Sequence, residues 1–234
     1  QAQVIDISHL IPPQDIPEAA LIFLRSAKYF PDGTIHVVVV DPGVGTSRRP
    51  MAARLGSQYY VGPDNGTLTM LLERCDGLGA EAVFYHLDRP NFWLPEISHV
   101  FHGRDIFAPT AAHLAAGIPI WQLGTRFEDP VRLDLPRPER AAQGLRGQII
   151  HIDHFGNLAS NIRMEHFQPR SGVTVSLAGV IIDGLVATFG ERSPGSLVAL
   201  FGSTGNLIVS VVNGSAAERL QARVGDSIEV NLPA

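Results

Sequence analysis

The sequence has a single cysteine, Cys75, among 234 residues, so no intramolecular disulfide can form and the fold does not depend on an oxidising compartment. Long hydrophobic runs are missing as well. The longest apolar stretches lie near Val37–Val40 and Ile208–Val212, far short of the ~20 residues needed to span a bilayer. No membrane partner is expected. Basic residues are fewer than acidic ones, 18 against 23, for a net charge of −5. Binding to a phosphate backbone rests on clustered Lys and Arg, so nucleic acid is not an expected partner either. The segment Gln1–Pro12 has neither a basic leader nor an apolar signal core. A cytoplasmic protein is the expectation, and the start at Gln1 rather than Met reads as a fragment or processed form.

What the sequence does contain is a globular composition, 45% hydrophobic and 18% charged. Its length allows one large domain or two smaller ones. Val4–Ile7 reads as a short buried strand, followed by a turn at Pro12, Pro13 and Pro17. In Glu18–Phe30, Ala20, Leu21, Leu24 and Ala27 fall at helical spacing, and Pro31-Asp32-Gly33 ends the helix. Ile35–Val40 is almost wholly β-branched, a pattern expected of a strand covered on both faces. Further along, a strand is expected around Tyr59–Val61, a helix over Thr67–Arg74, a strand over Ala82–His86, a loop at Asn91–Pro95 and a helix over Ile106–Ala116 stopped by Gly117. This alternation predicts an α/β domain with a parallel or mixed sheet over residues 1–140.

The polar, proline-bearing stretch Leu135–Arg140 reads as the interdomain linker. Beyond it, over 141–234, short apolar runs recur at Gln148–Ile152, Val173–Leu177, Val180–Ile182, Leu197–Phe201, Leu207–Val212 and Ser227–Val230. Such spacing predicts a smaller all-β barrel or sandwich.

Four segments are candidates for carrying chemistry. Asp41-Pro42-Gly43-Val44-Gly45-Thr46-Ser47-Arg48-Arg49 follows a strand directly, and ligands in open α/β sheets bind beyond the carboxyl ends of strands. Arg48 could fold back to hold Asp41 ionised; the plainer reading is a strand-to-loop turn with a solvated arginine. The run lacks the spacing and lysine of a phosphate-binding loop, and the third glycine of a dinucleotide fingerprint. Phe101-His102-Gly103-Arg104-Asp105 gathers ionisable groups at a helix start. His102 there could act as acid, base or donor near neutral pH, and Asp105 reads most simply as the helix cap. In Asp153-His154-Phe155-Gly156-Asn157, an acid, an aromatic and an amide could hold a flat heterocycle, or simply form a β-turn closed by Asn157. Asn213-Gly214-Ser215-Ala216-Ala217 reads as a turn into a helix whose small residues would allow close backbone approach, or simply as an ordinary helix entry capped by Ser215. His99, His102, Asp105, His151, Asp153 and His154 could ligate a metal, but none has a recognised metal spacing. No nucleophile elbow is present, and Cys75 has no histidine nearby in sequence.

Taken in order, Val4–His9, Asp41–Arg49, Tyr60–Gly66, Phe101–Asp105, Asp153–Asn157 and Asn213–Ala217 make nearly the whole chain resemble the S-adenosyl-L-methionine hydroxide adenosyltransferases. These are hydrolases related to the fluorinating and chlorinating enzymes. The resemblance implies hydrolysis of S-adenosyl-L-methionine to adenosine and L-methionine, with an Asp–Arg–His triad that carries over onto Asp41, Arg48 and His102 and with no metal or redox cofactor. It implies that Asp153, Phe155, Asn157, Ser203, Asn213, Ser215 and Ala216 bind substrate, at sites between the subunits of a homotrimer. Halogenating relatives carry a tyrosine where Asp41 stands and a halide-binding serine at Gly103, so water chemistry is implied here. Relatives also begin with a strand and an Asp-Phe-Gly turn whose carboxylates grip the ribose. The sequence starts after that segment, which implies an incomplete ribose clamp and an exposed sheet edge. The alternative is therefore a chain that binds S-adenosyl-L-methionine or adenosine without consuming it.

Overall fold

Asp15 starts the first helix, α1 (Ile16–Ala27), by accepting a hydrogen bond from Glu18 N at 2.9 Å, with Pro17 fitting the first turn, where no N–H is needed. Its buried face is Ala19, Ala20, Leu21, Phe23 and Ala27. In the computed structural model, which describes residues 2–167 and 171–232, the chain divides into two units, Gln1–Asp134 and Leu135–Ala234.

The first unit is built on strands β1 (Ile35–Val37), β2 (Pro50–Leu55), β3 (Gln58–Pro63), β4 (Ala82–His86) and β5 (Thr125–Phe127), in the order β1-β3-β2-β4-β5. Only β1–β3 is parallel; the other pairs are antiparallel, so the sheet is mixed. Successive residues alternate between its faces. Met51, Ala53, Leu55 and Tyr60 pack with Phe23 of α1 and Leu72 of α2 (Thr69–Leu78), while Ala52 and Val61 pack with Ile106, Phe107 and Leu114 at and before α3 (Ala108–Ala115).

The second unit contains β6 (Glu139–Ala141), β7 (Gly144–Ile152), β8 (Leu158–Arg163), β9 (Thr174–Leu177), β10 (Val180–Asp183), β11 (Leu197–Phe201), β12 (Asn206–Val211), α4 (Ala216–Leu220) and β13 (Ser227–Asn231). The order β10-β9-β13-β7-β8-β12-β11 is antiparallel at every pair. Its two end strands approach one another, and the nearly closed barrel encloses Ile149, Leu158, Ile162, Val175, Leu177, Val209, Ile228 and Val230.

Several expectations are corrected. Val4–Ile7 is neither strand nor buried: Val4 is 88% and Ile5 58% exposed, because no described strand lies beside the segment to pair its backbone and cover its side chains. Ile35–Val40 is not covered on both faces. Regular pairing ends at Val37, and Val37 and Val39 stay exposed because β1 is the edge of the sheet. Strands β2, β5 and β8 were not expected, and Glu139–Ala141 of the supposed linker pairs with β7. The helix expected from Ile106 begins as a wide π-type turn, Gly103–Phe107, that continues into α3.

His36, 4% exposed, sits edge-on between Phe23 and Phe30 at 5.0 and 5.4 Å, with Nε2 3.2 Å from Gln58 Oε1. Gln58 Nε2 in turn donates to Ala27 O and Phe30 O at the end of α1. Burial pushes the His36 pKa below its ordinary 6.5, with the Gln58 bond opposing the shift. The unfolded chain then takes up the proton more readily. The neutral ring's contribution is complete above pH 6.5 and is lost as pH falls below it. The melting temperature of the wild type is expected to drop between about pH 7.5 and about pH 5.5, and to drop less in His36→Phe. Equal slopes for the two proteins would show that the ring is not the titrating group.

Candidate active site

The chain leaves β1 through Val38–Val40 and turns at Asp41. Seven residues later Arg48 folds back onto it. Arg48 Nε donates to Asp41 Oδ1 at 3.0 Å and Nη2 donates to Oδ2, with the two side chains only 7% and 6% exposed. This is the bidentate geometry that favours arginine over lysine. The guanidinium also lies 5.4 Å from the Phe107 ring centre. Gly45 makes the return possible: its φ is +76°, and a Cβ there would lie 2.5 Å from His99 O. The Asp41–Arg48 loop is thereby packed against the loop that carries His102.

His102 Nδ1 lies 3.2 Å from Arg48 Nη2. Arginine can only donate, so Nδ1 accepts and the ring is neutral with its proton on Nε2. Burial and the Arg48 charge lower the His102 pKa, against the opposing charges of Asp41 and Asp105. Among the described residues Arg48 Nη1 is buried without a hydrogen-bond partner. One acid, one cation and one neutral imidazole therefore meet at the carboxyl end of a strand. Such a set can orient and polarise a small nucleophile.

Asp105 does not cap the helix. Its side chain, fully buried, accepts from Ser98 N at 2.8 Å and from Arg104, tying the 98–101 loop to the wide turn that follows His102. Those bonds hold the Asp105 carboxyl below its usual range. A groove of about 450 Å³ in this unit, lined by Tyr59, Tyr85 and Trp121 among others, shares no residue with the Asp41–Arg48–His102 group.

In the second unit Asp153, rather than Asn157, organises the turn after β7. Its Oδ1 accepts from Phe155 N and Asn157 N, each at 2.9 Å, and its Oδ2 from Asn157 Nδ2 at 2.7 Å. Gly156, at φ +80°, backs onto Ser215 with no room for a side chain, and its carbonyl accepts from Ala217 N at 3.0 Å. Asp153–Asn157 and Ser215–Ala217 are thus one cluster, with Phe155 74% exposed on it. Ser215 caps α4 by accepting from Glu218 N, and Asn213 precedes it at φ +56°. Ser203 lies apart from these, exposed in the β11–β12 turn. Among the described residues no group of three or more His, Cys, Asp or Glu is arranged to hold a metal ion, and no helix is long and apolar enough to cross a membrane. Burial pushes the Cys75 thiol up, away from nucleophilic use.

Sequence reasoning gave no role to Asp64, Asn65 or Arg49. Asp64 is 3% exposed and bonded to Arg49 Nε at 2.9 Å and Val131 N at 2.8 Å, while Asn65 Nδ2 donates to Val40 O at 2.8 Å. The Gly-Pro-Asp-Asn-Gly turn was the only available signal.

Two family descriptions match this arrangement in chain order: SAM hydroxide adenosyltransferase N-terminal domain over residues 1–124 and C-terminal domain over residues 147–229. The chain belongs to the SAM hydroxide adenosyltransferase family. It is 38% identical over 232 residues to the (R)-S-adenosyl-L-methionine hydrolase of Salinispora tropica, covering 97% of this chain and 86% of that protein. It is 40% identical over 230 residues to the protein of the same name from Thermus thermophilus, covering 95% and 85%. A crystal structure of an uncharacterized conserved protein from Thermotoga maritima superposes with a TM-score of 0.89 at 31% identity, covering 99% and 89%.

Direct measurement of the His102 titration by NMR is expected to place its pKa below 6.5, and lower still in Asp105→Asn, which removes a charge that raises it. A value above 6.5 would mean that the Asp41 and Asp105 charges together outweigh burial and Arg48.

Proposed function

We propose that this chain hydrolyses S-adenosyl-L-methionine to adenosine and L-methionine. The observation that carries the reading is the Asp41–Arg48–His102 group at the end of β1, in a chain whose relatives bear the hydrolase name. In the proposed step the oxygen of water or hydroxide bonds to ribose C5′ as the C5′–S bond breaks. The electron pair of that bond goes to sulfur, and methionine leaves as a neutral thioether. When water attacks, its proton passes to the Asp41 carboxylate. Hydroxide attack on a sulfonium cancels charge, so it is favoured in a water-poor site.

Asp41 accepts from the nucleophile, His102 donates to it through Nε2–H, and Arg48 fixes both by its bonds to Oδ1, Oδ2 and Nδ1. Neither metal nor redox cofactor enters this step. On the second unit, Phe155 offers a face for stacking, and the Asp153–Asn157 and Asn213–Ala216 segments, with Ser203, supply polar groups for the methionine and adenine portions. The active assembly in this reading is a homotrimer acting in the cytoplasm, with each site completed by a neighbouring subunit.

Incubation of the purified chain with S-adenosyl-L-methionine, without added metal, is expected to yield adenosine and methionine in equal amounts by chromatography. Asp41→Asn and His102→Ala are each expected to lower kcat by roughly 10²–10⁴-fold with the circular dichroism spectrum unchanged. Retained turnover in both variants would sink the triad. Saturable binding with no product from the wild type would leave a binding protein instead. Mass photometry finding only monomers would rule out the trimer.

A further inference from the structure

The nine residues from Asp41 to Arg49 contain two of the three triad side chains but no helix or strand of their own. A loop of this kind needs outside anchors if its side chains are to stay in register. Both ends of it are held by one dipeptide at the end of β3. Ahead of Asp41, Asn65 Nδ2 donates to Val40 O at 2.8 Å. Behind Arg48, Asp64 N donates to Arg49 O at 2.9 Å, and Asp64 Oδ2 accepts from Arg49 Nε at 2.9 Å.

The dipeptide is itself immobilised. Tyr60, wholly buried, donates its hydroxyl to Pro63 O at 3.0 Å, and Asn65 Oδ1 accepts from Thr67 Oγ1 at 2.8 Å. Asp64 Oδ1 accepts from Val131 N, and Gly66, at φ +97°, packs so closely on Leu133 that a Cβ there would lie 2.7 Å from its side chain. On the far side Arg49 is held by Asp129 and stacks 4.2 Å from the centre of the Phe127 ring.

We propose that Asp64 and Asn65 are positioning residues for the reaction, clamping the two ends of the Asp41–Arg48 segment so that carboxylate and guanidinium meet His102 in one geometry. As a statement about turnover this rests on the hydrolase reading above; as a statement about the loop it does not. Neither residue needs to touch substrate. Their effect reaches the chemistry through the backbone of Val40 and Arg49.

The test uses Asn65→Ala and Arg49→Met, with Asp129→Ala as control, in the full chain. Loss of either jaw is expected to lower kcat by about 10-fold or more, since misplacement of a reacting group by ~1 Å can cost ~10²-fold. KM is expected to stay within about 3-fold, the pattern of an interaction felt only in the transition state. Asp129→Ala, which removes an 81%-exposed partner of Arg49 and leaves Asp64 in place, is expected to stay within about 2-fold of wild type.

A second readout is the NMR titration of the His102 ring, which faces Arg48, Asp41, Asp105 and His99. Slackening the Arg49 end of the loop withdraws Arg48, so the His102 pKa is expected to rise toward its ordinary 6.5 in Arg49→Met. Unchanged kcat in Asn65→Ala or Arg49→Met, or a loss that only tracks the unfolded fraction with an unmoved His102 titration in Arg49→Met, would overturn the clamp. If the wild type forms no adenosine, the hydrolase reading fails, and the His102 titration alone then decides the clamp.

Discussion

The buried ion pair between Asp41 and Arg48 is the contact on which the candidate active site depends. Taking two charges out of water is costly, and breaking such a pair from one side typically loses ~3–5 kcal/mol because the remaining charge is stranded. With side chains 6% and 7% exposed, the pair persists only because the surroundings complete it. Phe107 covers the guanidinium, His102 takes one of its donors, and Gly45 lets the intervening loop double back beneath His99. An ion pair of this kind is a poor device for stability. Its value is direction, because a bidentate contact fixes the carboxylate plane as well as its distance.

The second unit solves a similar problem with one carboxylate and no cation. Asp153 gathers two backbone N–H groups and an amide within a five-residue turn, and Gly156 lets the start of α4 approach without a side chain between them. Phe155 faces outward on this turn, 74% exposed. The barrel beneath supplies rigidity: β8 is buried along almost its whole length, with Ser160 donating to Leu207 O and Asn161 to Pro136 O. In both units the candidate site residues sit on loops and helix starts beyond the ends of strands.

The sequence made the strongly patterned parts legible. The fold class followed from the alternation of helix and strand in the first half and the evenly spaced apolar runs in the second. Strand β8 was hidden because Ser160 and Asn161 interrupt its apolar run, and their burial is tolerable only through partners far away in sequence. Strand β1 was misjudged because Ile35–Val40 carries the composition of a central strand while standing at an edge. Within the site, the seven-residue spacing beside two glycines left Arg48 folding back onto Asp41 as one of two readings, and the resemblance rather than the spacing selected the pair that the structure brings into contact. The Asp64–Arg49 and Asn65–Val40 contacts were not, since they span 15 and 25 residues between turns that carry no periodic signal. Asp105 was assigned to a helix cap on position alone, and the wide turn that redirects its carboxylate toward Ser98 is not encoded in any local propensity.

The choice between water and a halide as nucleophile turns on which of two positions controls it. Gly103 is the weaker constraint. Its φ lies outside the left-handed region, and a Cβ there would lie 3.4 Å from Val39 Cγ1, in ordinary van der Waals contact. The backbone would therefore admit a serine, and its absence is not forced by the fold. Asp41 is different, because its carboxylate is locked to Arg48 and cannot turn away from whatever occupies the space beside His102. A halide would meet a fixed negative charge in a poorly solvated site, where Coulomb repulsion is least screened. Water and hydroxide can each donate a hydrogen bond to that same charge, whereas a halide has no proton to donate. In the proposed reaction, selectivity for oxygen over halide thus follows from the one contact that also builds the site.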